Sequence, residues 1–188
     1  IPGLKVVIPS SPYDVKGLLI QSIRDNDPVI FLEHKAMYDV TGEVPEESYT
    51  IPFGEANVVR EGDDVTVVAI GWMVVKAQEA AKELEASGIS IEIIDPRTVS
   101  PLDLDTILES VEKTGRLVVV DEASPRCNIA ADISAQVVSE AFGDLRAPAK
   151  MVSPPHVPIP FARSLEDLYI PSAQDIINAV KTVSEWSK

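Results

Sequence analysis

The chain has 188 residues, of which 45% are hydrophobic, and its net charge at pH 7 is −14. This composition allows a packed core and excludes extensive disorder, and the negative charge disfavours nucleic acid and anionic membranes as partners. The single cysteine, Cys127, excludes an intrachain disulfide framework and predicts a reducing, cytoplasmic environment. No apolar run approaches the roughly 20 residues of a transmembrane helix, and the first residues lack a signal-peptide pattern.

The beginning of the chain has the pattern of a strand, a helix and a second strand. Residues 4–8 and 29–32 are apolar runs, and between them Ser11 is placed to cap a helix with Pro12 in its first position. Two short parallel strands joined by one helix cannot bury both faces of a sheet. We therefore expect this unit to complete a domain whose earlier part lies outside the 188 residues.

The rest of the chain divides into a polar segment and a region of alternating strands and helices. Residues 34–63 are polar and interrupted by glycine and proline, which predicts a linker with one short strand at residues 49–51. After it, alternating apolar runs predict an α/β domain with a mostly parallel sheet covered by helices. The predicted strands are residues 64–70, 89–94, 116–120 and 150–152. The predicted helices are residues 74–84, 104–111, 128–142 and 172–183, and residues 95–98 are predicted to form a loop.

Motifs of a self-sufficient active site are absent from the sequence, which has neither a glycine-rich phosphate loop nor a G-x-S-x-G elbow. His34 follows a predicted strand and His156 lies in a proline-rich loop. Neither histidine has metal-ligand spacing, so a structural or solvent-exposed role is favoured for both. Asp121 and Glu122 end a strand, where α/β proteins often bind ligands, although capping of the next turn explains them equally well.

Two further groups of residues have the chemistry of a nucleophilic site. Cys127 lies near the start of a predicted helix, which would stabilise a thiolate, but no general base is evident and an inert thiol is favoured. Ser124, His156 and Asp121 contain the residue types of a catalytic triad, but nothing in their spacing supports one.

The end of the first predicted helix is a candidate cation site. The free backbone carbonyls of a helix C-terminus carry partial negative charge, and Asp25 and Asp27 add carboxylate oxygens. Hard cations prefer oxygen ligands of this kind. A polar helix stop explains the same residues without any ion.

Several long segments resemble the β subunit of the thiamine-diphosphate-dependent decarboxylating component of 2-oxo acid dehydrogenase complexes. They are residues 2–19 (PGLKVVIPSSPYDVKGLL), 27–33 (DPVIFLE), 94–103 (IDPRTVSPLD) and 113–117 (KTGRL). This family includes pyruvate, branched-chain 2-oxo acid and acetoin dehydrogenases. The resemblance implies a transketolase C-terminal-domain-like α/β fold, with a mostly parallel sheet and helices on both faces, preceded by the end of a pyrimidine-binding domain. The implied division is residues 1–33 for the pyrimidine-binding remnant, 34–63 for the linker and 64–188 for the C-terminal domain.

The resemblance also implies an activity and its partners. The full enzyme would use thiamine diphosphate and magnesium to cleave a C–C bond and pass the acyl group to lipoate. Its implied partners are an α subunit, a second β subunit and a lipoyl acyltransferase core. The family's catalytic glutamate and histidine lie before the segment that matches Ile1, so no catalytic or cofactor-binding residue is assigned, and this chain alone is not expected to bind the cofactor. A potassium ion is implied at Ser22, Ile23, Asp25 and Asp27, through the backbone carbonyls of the first three.

The substrate and the docking partner are less directly indicated. Residues 122–130, 155–161 and 165–172 resemble acetoin dehydrogenases, so acetoin is preferred, followed by pyruvate and then branched-chain 2-oxo acids. Arg146 stands where some relatives carry an acid implicated in acyltransferase docking, and Asp144 is a candidate replacement for that acid. Two alternatives stay open. One is a free-standing, non-catalytic binding module of the same fold, and the other is a piece of a transketolase-type or ferredoxin-linked enzyme.

Overall fold

Two β-sheets organise the computed structural model, which describes residues 1–186. The smaller sheet has the strand order β2-β1-β6, with β1 at Lys5–Val7, β2 at Val29–Phe31 and β6 at Thr98–Ser100. The larger sheet has the order β3-β5-β4-β7-β8, with strands at Asn57–Arg60, Ile91–Asp95, Val65–Ala69, Leu117–Val120 and Lys150–Val152. Its strands pair in parallel except for β3, which is antiparallel to β5. Residues 187 and 188, at the end of the predicted C-terminal domain, lie outside the described part.

Helices cover both faces of the larger sheet. The helices are α1 (Pro12–Arg24), α2 (Met73–Ala86), α3 (Leu104–Thr114), α4 (Ile129–Glu140), α5 (Arg163–Tyr169) and α6 (Ala173–Ser184), with a 3₁₀ turn at Lys35–Met37. Apolar residues of α2 and α6 pack with Val65 and Val67 on one face, and those of α3 and α4 pack with Val68 on the other. The predicted architecture is therefore confirmed. Within residues 1–186, no helix combines the length and apolarity that a membrane crossing requires.

Local hydrogen bonds explain where the main helices begin. The Ser11 side chain accepts the Asp14 amide at the start of α1, where Pro12 occupies the first turn as predicted. Ser172 and Asp175 form a reciprocal capping box at the start of α6. Helix α5 was not predicted, since its seven residues follow a proline-rich segment that shows no regular structure.

Strand β6 follows β5 in the chain and belongs to the smaller sheet, so it connects the two sheets. The loop predicted over residues 95–98 included Thr98, which is the first residue of β6. The chain turns at Arg97, which has a left-handed φ of 58°, and then pairs antiparallel with β1. The Ile8 amide donates to the Arg97 carbonyl at 2.8 Å and extends this pairing. Strand β6 therefore adds a third strand to the sheet that β1 and β2 form.

The strand predicted at residues 49–51 is wrong. The Tyr49 ring stacks on Tyr13 with centroids 4.6 Å apart, and Ile51 packs against Gly17 of α1, where its amide donates to the Gly17 carbonyl at 3.3 Å. Side-chain packing against α1 therefore places this segment, and Pro52 has no amide hydrogen for a strand ladder. The strand of the predicted linker is instead β3, which lies at the edge of the larger sheet.

Candidate functional site

The predicted cation site at the end of α1 contains a lysine, Lys5, that was not predicted to lie there. Lys5 Nζ lies 2.7 Å from Asp25 Oδ1 and 3.0 Å from Asp27 Oδ2. The hydrogen bond from Lys5 holds the pKa of Asp25 below its ordinary value, and the bonds to Asp25 and Asp27 raise the pKa of the lysine. The structure therefore brings the two predicted carboxylates together around an ammonium group.

The remaining two predicted ligands lie in the last turn of α1. The Ser22 hydroxyl donates to the Leu18 carbonyl at 2.7 Å, so it is used inside the helix. The Ile23 side chain is 76% exposed and has no ligand atoms. These residues can offer a cation only their backbone carbonyls, which is the role that the resemblance implied.

His34 links the segment after β2 to the carboxyl end of β7. Its Nε2 lies 3.1 Å from Glu122 Oε1, and its ring stacks on Trp72 with centroids 5.0 Å apart. Its Nδ1 accepts the Ala36 amide at 3.3 Å, so Nε2 carries the hydrogen that is donated to the carboxylate. Burial raises the pKa of Glu122, and His34 opposes that rise. Both residues were candidates at the ends of predicted strands, but their contact was not predicted from the sequence.

The triad residues do not assemble as a triad. Ser124 Oγ and His156 Nδ1 lie 3.2 Å apart. Asp121 does not complete the set, because its Oδ1 accepts the Ala123 amide at 3.1 Å and its buried Oδ2 has no partner. Burial raises the pKa of Asp121. Cys127 is exposed and has a left-handed φ of 55°. No nucleophilic site follows from these residues.

A buried polar network at the boundary between the sheets was not predicted from the sequence. Asp95, the last residue of β5, accepts the Arg97 amide at 2.8 Å and the Ser10 hydroxyl. The left-handed turn places Arg97 Nε 2.9 Å from Asp14 Oδ1, as an ion pair without hydrogen-bond alignment. Burial raises the pKa of Asp95 to about 7. The sequence signal was an acid at the end of the isoleucine-rich segment 91–94, followed directly by Pro96.

An apolar groove and an acidic groove adjoin on the α3–α4 side of the larger sheet, and we call them together the α3–α4 surface. The apolar groove has a volume of about 890 Å³ and contains the exposed side chains of Val138, Phe142 and Trp186. The acidic groove has a volume of about 300 Å³, and its described lining includes no basic side chain. Its carboxylates are those of Asp105, Glu109, Glu112, Glu140 and Asp144. Arg146 lines the apolar groove next to them.

Comparison with protein families decides which family this fold represents. Residues 54–176 match the family model for the transketolase C-terminal domain. The chain belongs to the transketolase C-terminal domain family. Ahead of this domain, residues 1–41 match the pyrimidine-binding domain of transketolase. The C-terminal-domain match therefore contains Asp95 and the α3–α4 surface apart from Trp186, whereas Lys5 and His34 lie in the pyrimidine-binding match.

Curated relatives of this transketolase-type chain are β subunits, which confirms the resemblance predicted from the sequence. The β subunit of acetoin:2,6-dichlorophenolindophenol oxidoreductase from Cupriavidus necator is 66% identical over 188 residues, covering 100% of this chain and 56% of the relative. The protein of the same name from Bacillus subtilis is 54% identical over 178 residues, covering 95% and 52%. The β subunit of the pyruvate dehydrogenase E1 component from Bacillus subtilis is 50% identical over 186 residues, covering 98% and 57%. The chain spans little more than half the length of these relatives.

A solved structure confirms the transketolase-type fold. The structure described as a split gene transketolase, inactive beta4 tetramer, superposes with a TM-score of 0.80 at 29% sequence identity. The match covers 100% of this chain and 59% of that chain. The two-sheet arrangement is therefore that of a transketolase protein and not a feature peculiar to this sequence.

No residue among those described is assigned to thiamine diphosphate or its metal. The sequence has no glycine-rich phosphate loop, and residues 1–186 contain no group of three or more His, Cys, Asp or Glu side chains arranged to hold a metal ion. A diphosphate–magnesium site needs oxygen ligands to the metal and backbone amides at the phosphates. No catalytic step is therefore assigned to this transketolase-type chain.

Proposed function

We propose that the chain is the C-terminal part of the β subunit of a thiamine-diphosphate-dependent dehydrogenase that acts on acetoin. The full enzyme cleaves a C–C bond of its substrate and passes the acyl group to lipoate, using thiamine diphosphate and magnesium together with an α subunit in the cytoplasm. The observation that carries this proposal is the 66% identity, along the whole chain, to the Cupriavidus necator acetoin oxidoreductase β subunit. In this proposal residues 1–33, 34–63 and 64–188 are the pyrimidine-binding remnant, the linker and the C-terminal domain.

Pyruvate is the second candidate substrate, supported by the 50% identity to pyruvate dehydrogenase β subunits, and branched-chain 2-oxo acids are the third. The test is dye reduction by the full-length β subunit that contains this sequence, purified with its α subunit and supplied with thiamine diphosphate and magnesium. We expect the highest kcat/KM with acetoin. A higher kcat/KM with pyruvate would transfer the assignment to pyruvate dehydrogenase, and no turnover of any of the three substrates would contradict the proposal.

In this proposal the 188-residue part serves assembly and docking, not chemistry. Isothermal calorimetry with thiamine diphosphate is expected to show no binding to the 188-residue chain alone. Tight binding would show that the cofactor site lies within it.

The related tetramer of β chains supports a β–β contact, and so does an exposed apolar segment with the side chains of Val157, Ile159, Phe161, Leu165 and Leu168. Light scattering is expected to give a dimer, and a monomer at micromolar concentration would contradict the contact.

The α3–α4 surface is the proposed docking site for the lipoyl acyltransferase core. Its apolar groove provides area that a partner can bury, and the carboxylates beside it favour a basic partner through charge complementarity. Arg146 lines the apolar groove and Asp144 lines the acidic groove, and the position of Asp144 supports its proposed role as the replacement acid. A basic subunit-binding domain of the acyltransferase is therefore the occupant that this surface fits.

Charge reversal tests the docking proposal. The double variant Glu109→Lys/Glu112→Lys is expected to weaken binding of the subunit-binding domain about tenfold or more at low salt, because both residues line the acidic groove. The matched control Glu47→Lys/Glu83→Lys changes the net charge equally at exposed sites outside the groove and is expected to stay within about twofold. Equal weakening by both variants would show a net-charge effect only, and would contradict docking at this surface.

We also propose that potassium binds at the end of α1, to the backbone carbonyls of Ser22, Ile23 and Asp25 and to the Asp27 carboxylate. The Lys5 ammonium already contacts both carboxylates, so the ion would share them with the lysine. Potassium several-fold above its Kd is expected to raise the free energy of unfolding by about 1 kcal/mol relative to choline at equal ionic strength. The change should be larger in Lys5→Met and unchanged in the control Lys16→Met. Identical stability in potassium, sodium and choline would contradict the site and leave Lys5 as its cation.

A further inference from the structure

Two carboxyl groups and one guanidinium group are enclosed together at the boundary between the sheets. Asp95 and Asp14 are 0% and 2% exposed, and the Arg97 side chain is 14% exposed. The guanidinium contacts Asp14 through Nε at 2.9 Å. Within the described part of the chain, Asp95 receives hydrogen bonds only from uncharged donors, the Arg97 amide and the Ser10 hydroxyl. An enclosed cluster of two acids and one base is neutral only if one acid keeps its proton, and Asp95 is the acid without an ion pair.

The same residues connect the two sheets. Asp95 ends β5 in the larger sheet, whereas Ser10 lies between β1 and α1 in the smaller unit. The Arg97 carbonyl accepts the Ile8 amide at 2.8 Å, directly after β1. Within residues 1–186, the charged groups that face Asp95 are Asp14 from α1 and Arg97 from the turn. The protonation state of Asp95 therefore acts on a contact that both units share.

We propose that this cluster is a pH-sensitive joint, which holds the two sheets together while Asp95 is protonated and loosens when Asp95 ionises. Ionisation places a second negative charge in an enclosed space where the one cation among residues 1–186, Arg97, already faces Asp14. The loosened state lets water reach Asp95 and solvate that charge. The joint is a property of the β chain itself, so it goes beyond the proposed function and does not depend on which substrate the enzyme uses.

The direction of the pH effect follows from the two states of Asp95. Burial raises its pKa to about 7 in the closed joint, from 3.8 for a solvated group. Between these values the closed joint binds a proton that the open joint releases, so opening becomes easier as the pH rises. Because opening releases one proton, the equilibrium constant for opening rises about tenfold per pH unit between these two pKa values. Above pH 7 Asp95 is ionised in both states and the pH dependence ends.

Amide hydrogen exchange in the full-length β subunit tests the joint. After correction for intrinsic exchange rates, the protection factor of the Ile8 amide is expected to fall about tenfold per pH unit between pH 5 and 7, and then to level off. The Val67 amide in the centre of the larger sheet is the internal reference. In Asp95→Asn the Ile8 protection is expected to be independent of pH. A pH-independent protection factor in the wild type, or the same slope in Asp95→Asn, would overturn the proposal.

Two further variants keep the test decisive. Asp103→Asn is the matched control, because Asp103 also accepts backbone amides, from Ala56 and Thr106, but burial does not raise its pKa above the ordinary value. In Asp103→Asn the Ile8 protection factor is expected to fall with pH as steeply as in the wild type. Ser10→Ala removes the hydroxyl that favours ionised Asp95, so the levelling-off is expected to move to higher pH. An unchanged profile in Ser10→Ala would overturn the proposal even if Asp95→Asn fails to fold.

Discussion

Replacing Arg97 with glutamine is expected to lower the free energy of unfolding by about 3 kcal/mol at neutral pH, because it leaves a buried carboxylate without its cation. Asp14 is 2% exposed, and the Arg97 guanidinium is the basic group in contact with it. Glutamine keeps the backbone amide that donates to Asp95 and adopts the left-handed φ about as poorly as arginine. The loss therefore reports on the ion pair and not on the turn. Urea unfolding followed by circular dichroism measures it.

A surface ion pair and a double-mutant cycle provide the controls for this result. Arg60→Gln breaks a pair with Glu85, whose side chain is 68% exposed, and is expected to cost less than about 1 kcal/mol. Asp14→Asn combined with Arg97→Gln is expected to be more stable than the two single losses predict, because no charge is left unpaired. If Arg97→Gln costs no more than Arg60→Gln, the buried pair does not hold the joint together.

Sequence reasoning succeeded where structure is local. The Ser11 cap of α1 and the capping box at Ser172 follow from hydrogen bonds that span three residues, so the sequence pattern contains all of their partners. The buried parallel strands follow from predominantly apolar, β-branched runs of a suitable length. Strands β3 and β6 were missed because each is short, and each exists through pairing with a strand distant in the chain.

The candidate sites show the same division. Asp25 and Asp27 were predicted to act together because they lie in one turn, whereas Lys5 reaches them from β1 and has no sequence signal of its own. His34 and Glu122 were both named, but the contact between them spans 88 residues. A pattern can name a residue at a strand end, where side chains converge, but only the fold determines which distant side chain it meets.

Gly62 is expected to be among the least replaceable positions of the chain, although it lies in the segment predicted as a linker. A Cβ atom at Gly62 would overlap the backbone of Ile91 and Glu92 in β5. Its amide also donates to Glu92 Oε2 at 3.3 Å, and this buried carboxylate pairs with Lys113. Alanine therefore either displaces β5 or moves the turn and removes one donor from a buried acid. We expect Gly62→Ala to lower the free energy of unfolding by about 3 kcal/mol.

Gly88→Ala separates this steric effect from backbone strain. Gly88 has a left-handed φ of 77°, and a Cβ atom there meets nothing within 4 Å, so alanine is expected to cost only about 1 kcal/mol. Both losses of unfolding free energy are measured from the shift in the urea midpoint, provided that the m-value of each variant equals that of the wild type. A smaller loss for Gly62→Ala than for Gly88→Ala would show that β5 yields to the added methyl group. A larger loss for Gly62→Ala than for Gly88→Ala would mean that the turn between β3 and β4 is a packed part of the larger sheet, held there by contact with β5.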